Sequence, residues 1–123
     1  MLGDLRPLLD EHVRDVEKIA SNLLPFHEAR ENTYKLSFAR RGESGVFHNL
    51  ARKYDRIDGL FDWEGNGGVT LVDTLVDNAI YSLKWLAVIK QLRPQDLERW
   101  LKEVYCPDTT MPLEDAMRLF GLD

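Results

Sequence analysis

The chain contains 123 residues, a length typical of one domain, and its 44% hydrophobic and 30% charged residues are ordinary for a globular protein. Its single cysteine, Cys106, excludes an internal disulfide, and one thiol with three scattered histidines makes no zinc set. No apolar run reaches the roughly 18 residues of a membrane span, and the N-terminus has no signal-peptide core. We therefore expect a single cytoplasmic domain rather than a secreted, membrane-spanning or disordered chain.

Charge is distributed unevenly along the sequence. The net charge is −5, from 16 Lys and Arg against 21 Asp and Glu, which argues against general coating of nucleic acid. Residues 30–56 nevertheless contain seven basic and three acidic side chains, so this segment carries +4 and the remainder −9. One basic segment in an acidic protein indicates a local site for an anion.

Hydrophobic residues recur at helical spacing throughout, which predicts five or six helices and no strand. The first helix is expected over Asp4–Leu24, ended by Pro25, because proline disrupts a helix interior. A second, weakly amphipathic helix is expected over His27–Ala39. Residues 40–45, which include two glycines, are expected to form a loop.

The third helix is expected over Val46–Phe61 and the fourth over Thr70–Leu92, the latter starting at a capping box of Thr70 and Asp73. Two short helices are expected over 95–105 and 112–120, around a turn formed by the residues Cys-Pro-Asp-Thr-Thr-Met-Pro that begin at Cys106. The fourth helix is apolar on nearly every side, so we expect it to be surrounded by protein, from its own bundle or from a sister chain. The predicted architecture is a small all-α bundle with a buried central helix, assembled as a homo-oligomer.

The central helix carries two carboxylates on one face. Asp73 and Asp77 lie one turn apart, so both can converge on a cation or on facing arginines. A partly buried carboxylate pair repels itself unless a metal or basic groups compensate it. Two structural interpretations stay open: Asp73 as a capping acid and Asp77 as the partner of a neighbouring helix.

The third helix offers a complementary basic face on its expected solvent side. Arg52 and Arg56 lie one turn apart, and Asn49 and Lys53 share that face. Ahead of the helix, two further arginines and exposed backbone amides favour anions, and His48 is a possible donor to the same anion. The alternative is a solvated basic face with no ligand. The candidate ligand-binding residues are Tyr34, Arg40, Arg41, His48, Asn49, Arg52, Lys53 and Arg56.

Four short motifs follow one another between residues 32 and 81, over about 50 of the 123 residues. They are Tyr34-x-x-Ser37-Phe38, Arg41-Gly42-Glu43-x-Gly45-Val46-Phe47, Leu50-Ala51-Arg52-Lys53-Tyr54-x-Arg56-Ile57 and Asp73-Thr74-Leu75-x-Asp77-x-Ala79-x-Tyr81. In this pattern the chain resembles the nucleotide-modification-associated domain 1 family of phages and bacteria. The resemblance implies an all-α protein of phage origin that is linked to nucleotides.

The chain is also distantly similar to the all-α nucleoside triphosphate pyrophosphatases of the MazG type, which hold magnesium with two acidic motifs. Glu28-x-x-Glu31 corresponds to the first motif and Asp73-x-x-x-Asp77 to the second. Thr74 stands where the second motif would have a glutamate. By this similarity Glu28, Glu31, Asp73 and Asp77 are the candidate ligands of Mg²⁺.

Three functions follow as expectations. The first is a phage-type protein that binds a phosphate-bearing nucleotide without catalysis, for example to sequester a host immune signalling nucleotide. This function is favoured because Thr74 replaces the glutamate that the pyrophosphatase motif would have. The second is a magnesium-dependent nucleoside triphosphate pyrophosphatase or another nucleotide-modifying enzyme. The third is a pure protein-interaction module, in which the basic face has no ligand.

Overall fold

The computed structural model describes residues 6–34, 42–60 and 68–123, and in these ranges the chain is almost entirely helical, with no strand. The predicted all-α class is therefore confirmed. The elements are α1 (Arg6–Tyr34), α2 (Gly42–Leu60), α3 (Gly68–Leu92), α4 (Pro94–Trp100), a π-helical turn (Leu101–Tyr105), α5 (Cys106–Thr109) and α6 (Leu113–Leu119). None of the described helices is both long and apolar enough to cross a bilayer.

The sequence predicts that the first helix ends at Pro25, and this prediction is wrong. Helix α1 continues through Pro25 to Tyr34. Proline removes one backbone hydrogen bond and crowds the preceding turn, so contacts made beyond it must hold the helix together. Arg30 supplies such contacts: its guanidinium lies 4.5 Å from the ring centre of Phe26 and also binds α3. Of the separate helix expected over 27–39, residues 27–34 belong to α1 and residues 35–39 lie outside the described ranges.

Helices α2 and α3 pack together in antiparallel fashion. Glu43, at the start of α2, accepts a hydrogen bond from Trp85 late in α3, whereas Lys53 further along α2 reaches back to Asp77. Val46 of α2 is fully buried in this pair. The antiparallel arrangement places the middle of α2 beside the first half of α3. The basic Lys53 of α2 therefore meets the acidic Asp77 of α3.

Helix α2 begins at Gly42, four residues before the predicted start, so the expected loop at 40–45 is wrong for its last four residues. Gly42 has φ +62°, a conformation that costs glycine little and lets the chain turn directly into the helix. Glu43 then lies in the first turn, where a negative charge stabilises the helix dipole.

Helix α3 begins at Gly68, so Thr70 lies inside the helix and the predicted capping box is wrong. The Thr70 carbonyl instead accepts a hydrogen bond of 2.7 Å from the hydroxyl of Thr74, which is buried. This bond gives the Thr74 hydroxyl a partner within its own helix. The Asp73 carboxylate binds Arg30 of α1 rather than the start of its own helix.

The C-terminal helices form a small layer against the end of α3. Leu101 and Ala116 are fully buried at its centre, and the rings of Trp100, Tyr105 and Phe120 contact one another at centroid distances of 5.2–6.4 Å. Helices are present in both segments where the sequence predicted them. The turn expected from Cys106 onward is wrong in its first four residues, because helix continues to Thr109.

Helix α3 has one side that no described residue covers. Val72, Leu75, Ala79, Leu83 and Leu86 are exposed and lie within about 80° of one another, on the side opposite Asp77. We call these five residues the α3 outer stripe. Within a single chain, the predicted burial of the central helix is therefore incomplete, and its outer side faces solvent.

Candidate functional site

Four charged side chains from three helices meet at one place. Arg30 of α1 donates from one guanidinium nitrogen to Asp73 and from the other to Asp77, both at 3.3 Å. Lys53 of α2 lies 3.1 Å from the second oxygen of Asp77. We call Arg30, Lys53, Asp73 and Asp77 the ionic cluster. The negative charges of Asp73 and Asp77 are thus compensated by basic side chains of the neighbouring helices.

The sequence predicts that Lys53 shares the solvent side of α2 with Arg52 and Arg56, and this prediction is wrong. Its side chain is only 18% exposed and that of Asp77 only 14%, so this pair is shielded from water. At 100° per residue, Lys53 lies on the edge of α2 that also carries the buried Val46. The antiparallel packing turns this edge toward α3 and separates Lys53 from the exposed arginines.

His48, Arg52 and Arg56 remain as an exposed row along α2, which we call the basic stripe. They follow one another at intervals of four residues, so they lie on one side of the helix. Asn49 accepts a hydrogen bond of 3.0 Å from Arg52 and donates one of 3.0 Å to the carbonyl of Gly45. Neither arginine forms an ion pair with a residue that the structure describes. Among the described residues, therefore, no acidic side chain neutralises their positive charges.

Several predicted site residues lie beyond what the structure describes. Arg40 and Arg41 fall in the undescribed segment 35–41, and the side chains of Glu31 and Tyr34 are likewise outside the description, although both belong to α1. Their predicted roles stay predictions.

The predicted magnesium site requires acidic side chains that are close together and free to ligate the ion. Among those side chains, no three of the His, Cys, Asp and Glu type cluster together, and Glu28 is exposed on α1. A magnesium ion at Asp73 and Asp77 would have to displace Arg30 and Lys53, which already satisfy these carboxylates. The described donors therefore fit the ion poorly.

A second charged group, which sequence reasoning missed, fixes the start of α2. Both oxygens of Glu43 accept bonds from Arg93, at 2.6 and 2.7 Å, and one also accepts the indole N–H of Trp85 at 2.7 Å. We call Glu43, Trp85 and Arg93 the Glu43 anchor. These donors lower the pKa of Glu43 from 4.5 to about 2, because the Arg93 guanidinium and then the Trp85 indole favour the ionised carboxylate. Glu43 raises the pKa of Arg93 in return.

The Glu43 anchor makes stability depend on acid. Because folding lowers this pKa, the anchor contributes stability above about pH 4.5, and that contribution is lost as the pH falls toward about 2. We expect the free energy of unfolding to fall over this interval, and a Glu43→Gln variant to show a smaller fall. Urea denaturation followed by circular dichroism at a series of pH values measures both; identical slopes would contradict the assignment.

Nothing in the sequence marks this anchor, since its members are 42 and 50 residues from Glu43. The only local signal is an acid in the first turn of a helix that begins earlier than its periodicity indicates. No family model, curated protein or solved structure matches the chain.

Proposed function

We propose that this protein binds a phosphate-bearing nucleotide at the basic stripe and holds it without cleavage. The observation that carries the proposal is the division of the basic residues between two roles. Lys53 and Arg30 neutralise the acidic pair, whereas Arg52 and Arg56 stay exposed and form no ion pair with a described residue. Arginine binds phosphate in a bidentate manner, and two guanidinium groups one turn apart suit a phosphate chain.

The ionic cluster supports binding over catalysis. A metal-dependent pyrophosphatase needs carboxylates that are free to ligate the ion, whereas both carboxylates here are held by basic side chains. In the phage setting implied by the sequence resemblance, such a binder would sequester a nucleotide, for example a host immune signalling nucleotide.

The experiment compares single alanine variants of the two arginines. Arg52→Ala and Arg56→Ala are each expected to weaken nucleotide binding by about 1–3 kcal/mol, the range for a lost charge-assisted hydrogen bond. Thermal stability should barely change, because both side chains are exposed. Arg118→Ala, which removes an exposed arginine of α6, is the matched control and should bind like the wild type. Isothermal titration calorimetry gives the affinities.

Two results would contradict the proposal. The first is unchanged affinity in both variants, which would leave the basic stripe as a solvated face. The second is early unfolding of both variants with normal affinity in the folded fraction, which would make the arginines structural.

Magnesium-dependent cleavage of a nucleoside triphosphate is the second candidate. The observation that favours it is the position of Asp73 and Asp77, one turn apart on the same side of α3. Its test is incubation of the wild type with nucleotides, with and without magnesium, followed by mass spectrometry that separates retained ligand from product. Magnesium-dependent product that disappears in Asp77→Asn would replace the binding proposal with this one.

We also propose that the chain associates with a second copy of itself. The α3 outer stripe is exposed, and on α1 Leu8, Leu9, Val13, Val16 and Ile19 are each more than half exposed. On a helical wheel these α1 residues lie on the same side as Arg30, which contacts α3, so they continue the side of α1 that faces the bundle. Monomers rarely expose so long an apolar surface, and a second copy offers a complementary one.

A further inference from the structure

A concave pocket of about 370 Å³ opens between α2 and α3, on the other side of α2 from Lys53. Three aromatic side chains line it: Phe47 and Tyr54 from α2 and Trp85 from α3. The rings of Phe47 and Trp85 meet edge to face at 5.8 Å, and the bond from Trp85 to Glu43 holds the indole in place. The volume of the pocket lies near the small end of the range for ligand sites.

Two polar side chains interrupt these aromatic walls. Asn78 of α3 and Asp55 of α2 both line the pocket, and neither side chain has a hydrogen-bond partner among the residues that the structure describes. The amide of Asn78 can donate and accept at the same time, whereas the carboxylate of Asp55 can only accept. The pocket thus offers a ligand flat apolar walls with one donor and two acceptors.

The pocket adjoins the basic stripe. Asp55 follows Arg52 by three residues and His48 by seven, so the three side chains lie on neighbouring turns of one side of α2. The ring of Phe47 also contacts that of His48, at a centroid distance of 5.4 Å. A molecule with an aromatic ring in the pocket can extend an anionic group from Asp55 toward His48 and Arg52.

We propose that this pocket is a nucleobase site that selects adenine, an inference that rests on the proposed nucleotide binding and specifies its ligand. The aromatic walls stack on the purine, as aromatic side chains do on bases elsewhere. The Asn78 amide oxygen accepts a hydrogen bond from the exocyclic amino group and its N–H donates to ring nitrogen N7, the bidentate contact that asparagine makes with adenine. Asp55 requires a donor, which the amino group supplies and the carbonyl of hypoxanthine or uracil does not.

The test compares ATP with ITP, which differ at purine position 6, where an amino group is replaced by a carbonyl and the neighbouring ring nitrogen becomes a donor. Calorimetry on the wild-type protein is expected to show ATP binding at least tenfold more tightly than ITP. Asn78→Ala should reduce this preference, whereas Arg52→Ala should weaken both ligands alike. Asp55→Asn, at an exposed position where folding is not at risk, should reduce the ratio because an amide can donate to the ITP carbonyl. Asn22→Ala, an exposed asparagine of α1, is the control and should keep the ratio.

The possible failures are distinguishable. Equal binding of ATP and ITP, both weakened in Arg52→Ala, would overturn the adenine site and leave the phosphate site standing. A preference for ATP that both Asn78→Ala and Asp55→Asn retain would place base recognition elsewhere and overturn the pocket assignment. No binding of ATP, ITP or inorganic tripolyphosphate would overturn the proposed function and the adenine site together.

Discussion

Replacing Asp77 by asparagine is expected to lower the free energy of unfolding by about 2–4 kcal/mol. This range is the cost of breaking a buried ion pair, reduced because the side chains of the pair are partly exposed to water. Asp77 pairs with both Arg30 and Lys53, so the substitution leaves two cations of the ionic cluster without their shared counter-ion. Its side chain is only 14% exposed, and water compensates the loss poorly. Urea denaturation followed by circular dichroism measures the change.

Asp73→Asn is the matched control for this experiment. Asp73 is 55% exposed and has one bond to Arg30, so its loss should cost no more than about 1 kcal/mol. An Asp77→Asn variant that is as stable as the wild type, or more stable, would contradict the structural role. Relief of repulsion between two carboxylates that ligate a metal would then explain the result, and the pyrophosphatase would become the leading candidate.

Light scattering at micromolar concentration is expected to give a mass of at least twice the 14.3 kDa of one chain. The reason is the free energy of removing apolar surface from water, which amounts to about 25 cal/mol per Å². The α3 outer stripe and the exposed apolar side of α1 provide that surface over several helical turns. Leu83→Lys places a charge within the α3 stripe and is expected to give the monomer.

Leu119→Lys is the control for Leu83→Lys, because Leu119 is also an exposed leucine but belongs to α6 and neither to the α3 outer stripe nor to the exposed apolar side of α1. It should keep the mass of the wild type. A wild-type mass near that of one chain, or the same mass for wild type and Leu83→Lys, would contradict association through α3.

Two of the errors at helix ends show where local sequence signals were overridden. Pro25 carries a strong local preference to end a helix, yet α1 continues because Arg30 is bound on the far side of the proline. The glycines at 42 and 45 indicated a loop, yet α2 includes both because Glu43 is held by Arg93 and Trp85. In each case, contacts with residues more than 40 positions away outweigh the local preference.

The sequence by itself determined the all-α class, the approximate extent of α3, and the charged residues from which a site can be built. These follow from a helical period that every turn repeats and from side-chain chemistry that needs no neighbour. Only the tertiary structure decided that Lys53 joins Asp77 while Arg52 and Arg56 stay exposed, and that Asn78, Asp55 and three aromatic rings enclose a pocket. Helical periodicity orders residues within one helix, whereas pairing across helices depends on how α1, α2 and α3 pack, and that packing follows from the burial of distant apolar residues together.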